Sequence, residues 1–238
     1  YGQWLKMRAY EQWACREFDS VVAVSENDRN VFRDQYGVNE VYDVPTGVDT
    51  QYFEPQFVEK DPMNLVFTGS MDWLPNEDAM IYFADAILPR IVEKVPQVTV
   101  TVVGRKPTPS LQHLAKEQPR IKLTGRVEDI RPHVAKASVY IVPLRIGGGT
   151  RIKIYEAMSM QKAIVSTSVG AEGLPLRDGE EIFLADDPKK FAEVVVKLLQ
   201  SPETAQKVGR RAREVVCEKF GWEKASNSFA EICERAAR

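Results

Sequence analysis

The sequence predicts an α/β protein built on a parallel β-sheet with helices on both faces. From residue 63 onward, short strand-like segments alternate with helix-like segments. Several strand segments are unbroken apolar runs, such as "SVYIVPL" (138–144), which is typical of strands buried on both faces. Glycines recur just past the predicted strand ends, the edge at which such sheets bind ligands.

Composition limits the classes of protein to consider. The chain has 238 residues, 44% of them hydrophobic and 28% charged, with a net charge of −2. This balance argues against a nucleic-acid partner, which would normally require a basic face. No apolar run approaches the roughly 18 residues of a membrane span. Three scattered cysteines and two histidines predict neither disulfides nor a zinc site and suit a cytoplasmic location.

Residues 1–48 resemble the tail of an α/β domain. The predicted elements are a helix from Trp4 to Phe18, a strand "VVAVS" (21–25), a helix "ENDRNVFRDQYG" (26–37) and a strand "VYDVP" (41–45). Gly37 is the expected stop of the second helix. Because the sequence starts at Tyr1 and in the middle of this pattern, we expect it to be a fragment of a longer protein.

A fresh α/β series follows. The predicted strands are "MNLVFTG" (63–69), "VTVTVVG" (98–104), "IKLTG" (121–125), "SVYIVPL" (138–144), "KAIVSTS" (162–168) and "EIFLA" (181–185). The predicted helices are 76–94 with Asn76 as N-cap, 109–117, 127–137, 150–160, and 187–238 with breaks near Ser201–Pro202 and Gly221.

Glycines follow five of these strands, at Gly69, Gly104, Gly125, Gly147–Gly149 and Gly170. Any one of them alone is most simply a turn residue. Five at one edge of one parallel sheet predict a rim where the backbone comes close to a ligand.

The stretch "GGGTRIKIYEAM" (147–158) is the richest in chemistry. The bare backbone of Gly147–Gly149 and the following helix start can present N–H groups to an anion, and the helix dipole adds ~0.3–1 kcal/mol. Arg145, Arg151 and Lys153 bring positive charge to the same corner. The stretch lacks the Gly-Lys-Ser/Thr of a Walker loop and the third glycine of a dinucleotide-binding loop.

Glu156 lies about two helical turns after these glycines. A carboxylate there can accept two hydrogen bonds from a vicinal diol such as a ribose, each worth roughly 1.5–3 kcal/mol. The competing interpretation is a solvated helical glutamate that pairs with Lys153, three residues earlier. Spacing alone does not decide between them.

These residues resemble a known family. "PLRIGGGTRIKIYEAMSMQKAIVSTSVGAEGL" (143–174) is similar to the donor-binding segment of glycosyltransferase family 4, the group 1 glycosyl transferases. "FDSVVAVSENDRNVFRDQYG" and "VPTGVDTQYFEP" resemble the end of its N-terminal domain and its interdomain hinge. "NLVFTGSMDWLPNEDAMIYF" resembles the opening of its C-terminal domain, and "GRVEDIRPHVAKASVYIVPL" the stretch beside the nucleotide base. The resemblance covers nearly the whole chain.

The resemblance implies a GT-B fold, in which two Rossmann-like domains enclose a cleft. Residues 1–48 would end the acceptor domain, 49–61 would form the hinge, and 62–220 would be the nucleotide-sugar-binding domain. The C-terminal helix, 221–238, would either cross back to the first domain or pack on its own domain.

The family's motifs map onto this chain with departures. The family usually carries two glutamates eight residues apart. The second corresponds to Glu156, which the resemblance assigns to the ribose hydroxyls, and the first falls on Gly148. The loop after the first strand of this domain normally supplies an arginine and a lysine to the diphosphate, but Ser70 and Pro75 stand there. The departure leaves that charge to Arg145, Arg151 or Lys153.

Other positions follow from the same comparison. Gly149, Thr150 and Arg151 correspond to positions whose backbone meets the donor phosphates or sugar, and Glu172 lies in a loop near the sugar. The expected donor-binding residues are Gly69, Ser70, Arg145, Gly148, Gly149, Thr150, Arg151, Lys153, Glu156 and Glu172. The catalytic groups on the acceptor side are expected in the missing N-terminal domain.

The implied activity is retaining glycosyl transfer from a nucleotide sugar of UDP or GDP type to a sugar, lipid-linked or glycan acceptor. Synthesis of cell-surface polysaccharides or glycoconjugates is the expected setting, with peripheral membrane association of the full-length protein. We expect no cofactor, and no metal because the chain contains no D-x-D. This fragment alone should be inactive or nearly so.

Alternatives from other classes remain. A non-catalytic nucleotide-binding module fits the absent first glutamate and the absent loop cations. An epimerase or a phosphorylase of related fold would need acid/base groups or a pyridoxal lysine that the sequence does not display. A nicotinamide oxidoreductase lacks its glycine fingerprint here, and a pure interaction domain would bind no nucleotide.

Overall fold

A computed structural model describes residues 2–237 of the chain. They form two compact units. Within this range, one unit consists of the residues up to Gly47 together with those from Phe220 onward, and the other is Val48–Lys219. The predicted donor-binding residues all belong to the second unit.

The first unit contains two parallel strands and three helices. The elements are α1 (Gly2–Glu17), β1 (Val21–Ala23), α2 (Glu26–Tyr36), β2 (Val41–Asp43) and α10 (Trp222–Ala236). Strands β1 and β2 pair in parallel, with Val21 opposite Val41. Gly37 ends α2 as predicted, in the left-handed region at φ = 69°, and its N–H donates to the carbonyl oxygen of Phe32.

The second unit is built on a six-stranded, all-parallel sheet. Its strands are β3 (Asp61–Thr68), β4 (Thr99–Val103), β5 (Ile121–Leu123), β6 (Ala137–Val142), β7 (Ala163–Ser166) and β8 (Phe183–Leu184). Their order is β5-β4-β3-β6-β7-β8, which confirms the predicted Rossmann-like sheet. The strand order reverses between β3 and β6, so ligands are expected at the carboxyl ends of these two strands.

Helices cover this sheet. They are α3 (Leu74–Tyr82), continued by a π-helical turn (Phe83–Ile87) and α4 (Leu88–Lys94), then α5 (Pro109–Glu117), α6 (Arg131–Lys136), α7 (Ile152–Ser159), α8 (Pro188–Gln200) and α9 (Pro202–Lys219). Breaks occur after Gln200 and Lys219, as predicted. Phe83 and Phe191 meet edge to face in the core, with ring centroids 6.4 Å apart.

Asn76 is not the N-cap of the long helix, so that prediction was wrong. The helix starts two residues earlier, at Leu74, after Trp73 in an extended conformation. Pro75 sits in the first turn, where its missing N–H costs nothing. The Asn76 side chain is instead buried and bonded within the site described below.

Two other helices are shorter than predicted. α6 begins only at Arg131, where the Asp129 carboxylate accepts the Arg131 N–H and Pro132 follows in the first turn. α7 begins at Ile152 rather than Thr150, since Arg151 has φ −89° and ψ 83°. Arg151 therefore lies in the loop and not on the helix, which changes where its side chain points.

Candidate functional site

A pocket of about 370 Å³ opens at the carboxyl edge of the sheet, where the strand order reverses. It is bordered by the loops after β3, β4 and β5 and by α7. The lining residues are Thr68, Gly69, Ser70, Val103, Gly104, Arg105, Arg126, Val127, Ile130, Lys153 and Glu156. Four of the sequence-predicted residues, Gly69, Ser70, Lys153 and Glu156, meet here.

Two of the predicted rim glycines bring their loops into backbone contact. A side chain on Gly104 would overlap the carbonyl oxygen of Gly69. Gly69 in turn donates its N–H to the carbonyl oxygen of Val103, and this bond extends the β3–β4 pairing to the pocket wall. The wall therefore depends on a residue without a side chain at position 104.

Glu156 lines this pocket from α7. Its carboxylate is partly buried and accepts no hydrogen bond from any residue between 2 and 237. Burial raises the pKa of Glu156, an effect that nearby Lys153 opposes. A carboxylate in this position has its acceptor lone pairs free for a ligand.

Lys153 does not form the ion pair with Glu156 that the local spacing offered as an alternative. Its Nζ donates to the carbonyl oxygen of Thr68 at 2.7 Å and to Oδ1 of Asn76 at 2.9 Å. It also lies 4.4 Å from the ring centroid of Phe67. Burial, reinforced by the charge of Arg151, lowers the pKa of Lys153 to about 7. An ammonium has three donors, so one is left for a ligand.

Asn76 positions this lysine, a role that sequence reasoning missed. The side chain is 2% exposed, accepts from Lys153, and donates through Nδ2 to the carbonyl oxygen of Ser70 at 2.9 Å. It therefore connects α7 to the loop after β3. No sequence signal revealed this, because the partners are 77 residues apart.

Arg151 is a buried cation with unused donors. The residue is 6% exposed, and one terminal nitrogen, Nη1, donates to the carbonyl oxygen of Gly148 at 2.7 Å. Nε and Nη2 are buried and have no hydrogen-bond partner among the described residues. The guanidinium lies 5.3 Å from the Trp73 ring centroid. Burial lowers the pKa of Arg151, while the charge of Glu172 partly offsets this.

The glycine loop encloses this guanidinium. Gly147 and Gly149 have φ values of 111° and 81°, which favour glycine. A side chain at Gly147 would come within 2.6 Å of Nη2 of Arg151. Gly148 is exposed with open space around it. Glycine at 147 thus leaves room for the cation, and the loop backbone stays accessible.

The other predicted residues lie at or beyond the margin of this site. Arg145 donates to the Asp78 carboxylate from Nε at 3.1 Å and Nη2 at 2.6 Å, and stacks on Tyr82, so its charge already has a partner. Thr150 precedes α7 and is partly buried. Glu172 lies exposed in the turn after β7, close enough to influence Arg151.

The pocket also contains two arginines that the sequence analysis did not select. Arg105 and Arg126 line it from the ends of β4 and β5. A signal did exist, since both strands run into a Gly-Arg pair, at 104–105 and 125–126. The rim prediction covers the two glycines but not the arginine that follows each of them.

Two other kinds of site are absent from the described part of the chain. No group of three or more His, Cys, Asp or Glu side chains is placed to hold a metal ion within residues 2–237. The helices in this range also include none with the length and apolar character of a membrane span.

Comparison with known proteins identifies the family. Residues 62–201 match the model of the glycosyl transferases group 1, and residues 2–52 match that of glycosyltransferase family 4. The first match covers more than half of the chain. The chain therefore belongs to the group 1 glycosyltransferase family, as the sequence resemblance predicted.

Curated relatives agree with this assignment. The chain is 25% identical over 222 residues to a phosphatidyl-myo-inositol mannosyltransferase of Mycolicibacterium smegmatis, covering 90% of this chain and 56% of the relative. It is 23% identical over 246 residues to the lipopolysaccharide core biosynthesis mannosyltransferase LpcC of Rhizobium leguminosarum, covering 94% and 66%. The chain thus spans between about half and two thirds of the length of these relatives.

Solved structures show the same fold. HepE of Anabaena, in complex with UDP, superposes with a TM-score of 0.76 at 16% identity, covering 94% of this chain and 68% of that one. Sucrose-phosphate synthase of Thermosynechococcus elongatus gives 0.77 at 18% identity, covering 94% and 60%. The fold is that of GT-B glycosyltransferases.

Proposed function

We propose that this chain is the donor-binding part of a retaining glycosyltransferase that uses a nucleoside-diphosphate sugar of UDP or GDP type. One observation carries the proposal. At the point where the sheet order reverses, the carboxylate of Glu156, which has no hydrogen-bond partner among residues 2–237, faces a pocket beside the partly buried Lys153. The guanidinium of Arg151 influences Lys153 electrostatically and has two buried nitrogens without a partner in the same range. A ribose diphosphate supplies both the hydroxyl donors and the negative charge that these groups lack.

Glu156 is assigned to the ribose. Its carboxylate has no competing donor among residues 2–237, so it can accept both hydroxyls of the 2′,3′-diol. Each such charge-assisted bond contributes roughly 1.5–3 kcal/mol. Burial without a hydrogen-bond donor raises the pKa of Glu156 in the free protein, and hydrogen bonds from a ligand's hydroxyls would stabilise the carboxylate.

Lys153 and Arg151 are assigned to the diphosphate. Lys153 keeps one donor after bonding to Thr68 and Asn76, and Arg151 keeps Nε and Nη2. The backbone of Gly149 and Thr150 directly precedes Arg151 in the sequence, ahead of α7. Negative charge grows on the leaving diphosphate as the glycosidic bond breaks, so cations fixed there stabilise the transition state.

The donor sugar is assigned to the region of Gly148 and Glu172. Gly148 stands where the family usually places its first glutamate, and the open space around it leaves room for the sugar. Glu172 is exposed and near Arg151, so it can accept from a sugar hydroxyl.

The remainder of the proposal concerns the whole protein. Residues 1–48 are assigned to the acceptor domain, 49–61 to the hinge and 62–220 to the donor domain, with 221–238 as the terminal helix. The acceptor is a sugar, lipid-linked or glycan molecule in polysaccharide or glycoconjugate synthesis, which the names of the two mannosyltransferase relatives favour. We propose transfer in the cytoplasm, at the membrane surface, without a metal or cofactor.

The chain itself is proposed to bind donor without appreciable transfer, because the family resemblance assigns the acceptor groups to the N-terminal domain, of which residues 1–48 are only the end. The test is to join it to an acceptor domain and examine the anomeric configuration of the product by NMR. Retention of the donor's configuration supports the proposal, and inversion contradicts it.

A non-catalytic nucleotide-binding module is the second candidate. The observation in its favour is Gly148, which places no carboxylate at the family's first glutamate position. Turnover separates the two candidates, because both bind nucleotide. Failure of the joined protein to transfer from UDP- or GDP-sugars, with nucleotide binding intact, would favour the module.

A further inference from the structure

Arg105 reaches from the loop after β4 to the loop after β3, across one wall of the pocket. It follows Gly104 at the end of β4, and its Nε donates to Oγ of Ser70, in the loop after β3, at 3.0 Å. Ser70 in turn donates to Oδ1 of Asp72 at 2.6 Å. The guanidinium therefore lies over the end of β3 rather than over its own strand.

The remaining donors of Arg105 are free. Nη1 and Nη2 make no hydrogen bond to any residue from 2 to 237, and the side chain is exposed on the pocket wall. Two nearby cations are already paired: Lys106 with Asp72 at 3.1 Å, and Arg145 with Asp78 at 2.6 Å. Arg105 thus offers a planar pair of donors suited to phosphate oxygens.

Its surroundings indicate which part of a ligand it would meet. Ser70 is two residues from Thr68, whose carbonyl oxygen accepts from Lys153. Arg105 and Lys153 therefore border the same short loop, one from the β4 side and one from α7. Arg126, by contrast, lies at the end of β5, one strand farther from the point of reversal.

The backbone around Arg105 is fixed. Its carbonyl oxygen accepts the Met71 N–H at 3.0 Å, and Gly104 packs against the Gly69 carbonyl. Lys106 takes the left-handed conformation at φ = 53°, which is uncommon for a residue with a side chain. Binding of a ligand by Arg105 therefore requires no change in the backbone of this loop.

We propose that Arg105 binds the donor's phosphates, supplying from the loop after β4 the guanidinium that the loop after β3 lacks at Ser70. This inference rests on the proposed function and adds a phosphate-binding residue to it. The side chain exchanges none of its bonds to do so, because Nη1 and Nη2 are the contacting atoms and Nε stays on Ser70.

The test compares Arg105→Gln with a charge-matched control, Lys106→Gln, in the complete 238-residue chain. UDP and GDP are titrated by calorimetry, and uridine and guanosine binding is followed by saturation-transfer NMR. Because a charged hydrogen bond is worth roughly 1.5–3 kcal/mol, Arg105→Gln should weaken diphosphate binding about tenfold or more. Nucleoside binding should change less than about twofold, the limit expected of a residue that does not contact it. Lys106→Gln should leave both unchanged.

Three outcomes would overturn the inference. Equal losses for nucleoside and diphosphate would make Arg105 a contact for the base or ribose. Unchanged diphosphate affinity in Arg105→Gln, together with a loss in Glu156→Ala, would remove Arg105 from the site and leave the proposed function standing. Absence of UDP and GDP binding by the unaltered chain would overturn both.

Discussion

Arg151 is the residue whose surroundings are hardest to explain without a ligand. A buried guanidinium with two nitrogens that lack partners among residues 2–237 carries a desolvation cost, which its one hydrogen bond to Gly148 and the charge of Glu172 offset only in part. Strained or unsatisfied groups of this kind concentrate at functional sites. The positive charge of Arg151 therefore favours the binding of an anion at this site.

Arg151→Met tests this reading. Methionine keeps the apolar bulk beneath Trp73 and removes the unpaired charge, so the melting temperature should hold or rise. Diphosphate affinity should fall about tenfold or more, the loss of at least one charged hydrogen bond. Thermal unfolding and calorimetric titration measure the two effects. A lower melting temperature with full affinity would mean that Arg151 is only a structural residue.

The lowered pKa of Lys153 predicts that the affinity for a diphosphate depends on pH. Its pKa falls from an ordinary 10.5 to about 7 in the free protein, and a bound diphosphate favours the ammonium. Diphosphate affinity should therefore weaken as the pH rises from about 6.5 to 8.5. In Lys153→Gln the affinity should be lower at every pH and should vary less with pH. Comparison of the two proteins corrects for titration of the nucleotide itself. Parallel profiles for the two proteins would contradict the assignment.

The same shift has a consequence for stability. Because the folded-state pKa of Lys153 lies below that of the unfolded chain, the unfolded chain binds more protons between about pH 7 and 10.5. The charged lysine therefore lowers the free energy of unfolding by its full amount below pH 7. The free energy of unfolding recovers as the pH rises toward 10.5.

At the scale of elements, the contact between the loops after β3 and β4 gives a matched pair of substitutions. Gly104→Ala would force a methyl group into the Gly69 carbonyl, and overpacking of this kind costs roughly 1–3 kcal/mol. Gly148→Ala meets open space and should cost less than about 0.5 kcal/mol, as surface substitutions usually do. Chemical denaturation measures both. Equal stability of the two variants would mean that the β4 loop yields more easily than its backbone contacts imply.

The elements were predictable from the sequence where the signal is local. Apolar runs located the strands, and Gly37, Pro202 and Gly221 marked helix boundaries correctly. Asn76 was misassigned because an asparagine before an apolar pattern is a strong N-cap signal. The preceding Trp-Leu-Pro (73–75) allowed the helix to start earlier, and burial of Asn76 gave its amide other partners.

The site was predictable only in part, for a physical reason. Glu156 and the glycines could be placed because one strand, one loop and one helix follow each other along the chain. The partners of Lys153 could not, since Thr68 lies 85 residues away and meets it only through the β3–β6 pairing. The bond from Arg105 to Ser70 could not be predicted either, since it spans 35 residues, although the Gly-Arg pair at 104–105 was a local signal for the arginine itself.

At the scale of the whole molecule, the order of the strands explains why these groups meet. The reversal between β3 and β6 leaves a crevice at their carboxyl ends, and the loops after β3, β4 and β5 line it together with α7. The family match covers this unit from residue 62 to 201. The chain spans between about half and two thirds of the length of the two mannosyltransferase relatives.

The central claim, that this crevice binds a nucleoside diphosphate through its ribose, is tested most directly by calorimetric titration of the chain with UDP, GDP and ADP, beside Glu156→Ala. The account predicts that UDP or GDP binds and that the substitution weakens it about tenfold or more, or ~1.4 kcal/mol. Binding of equal strength in the variant, or no binding of any of the three, would contradict it.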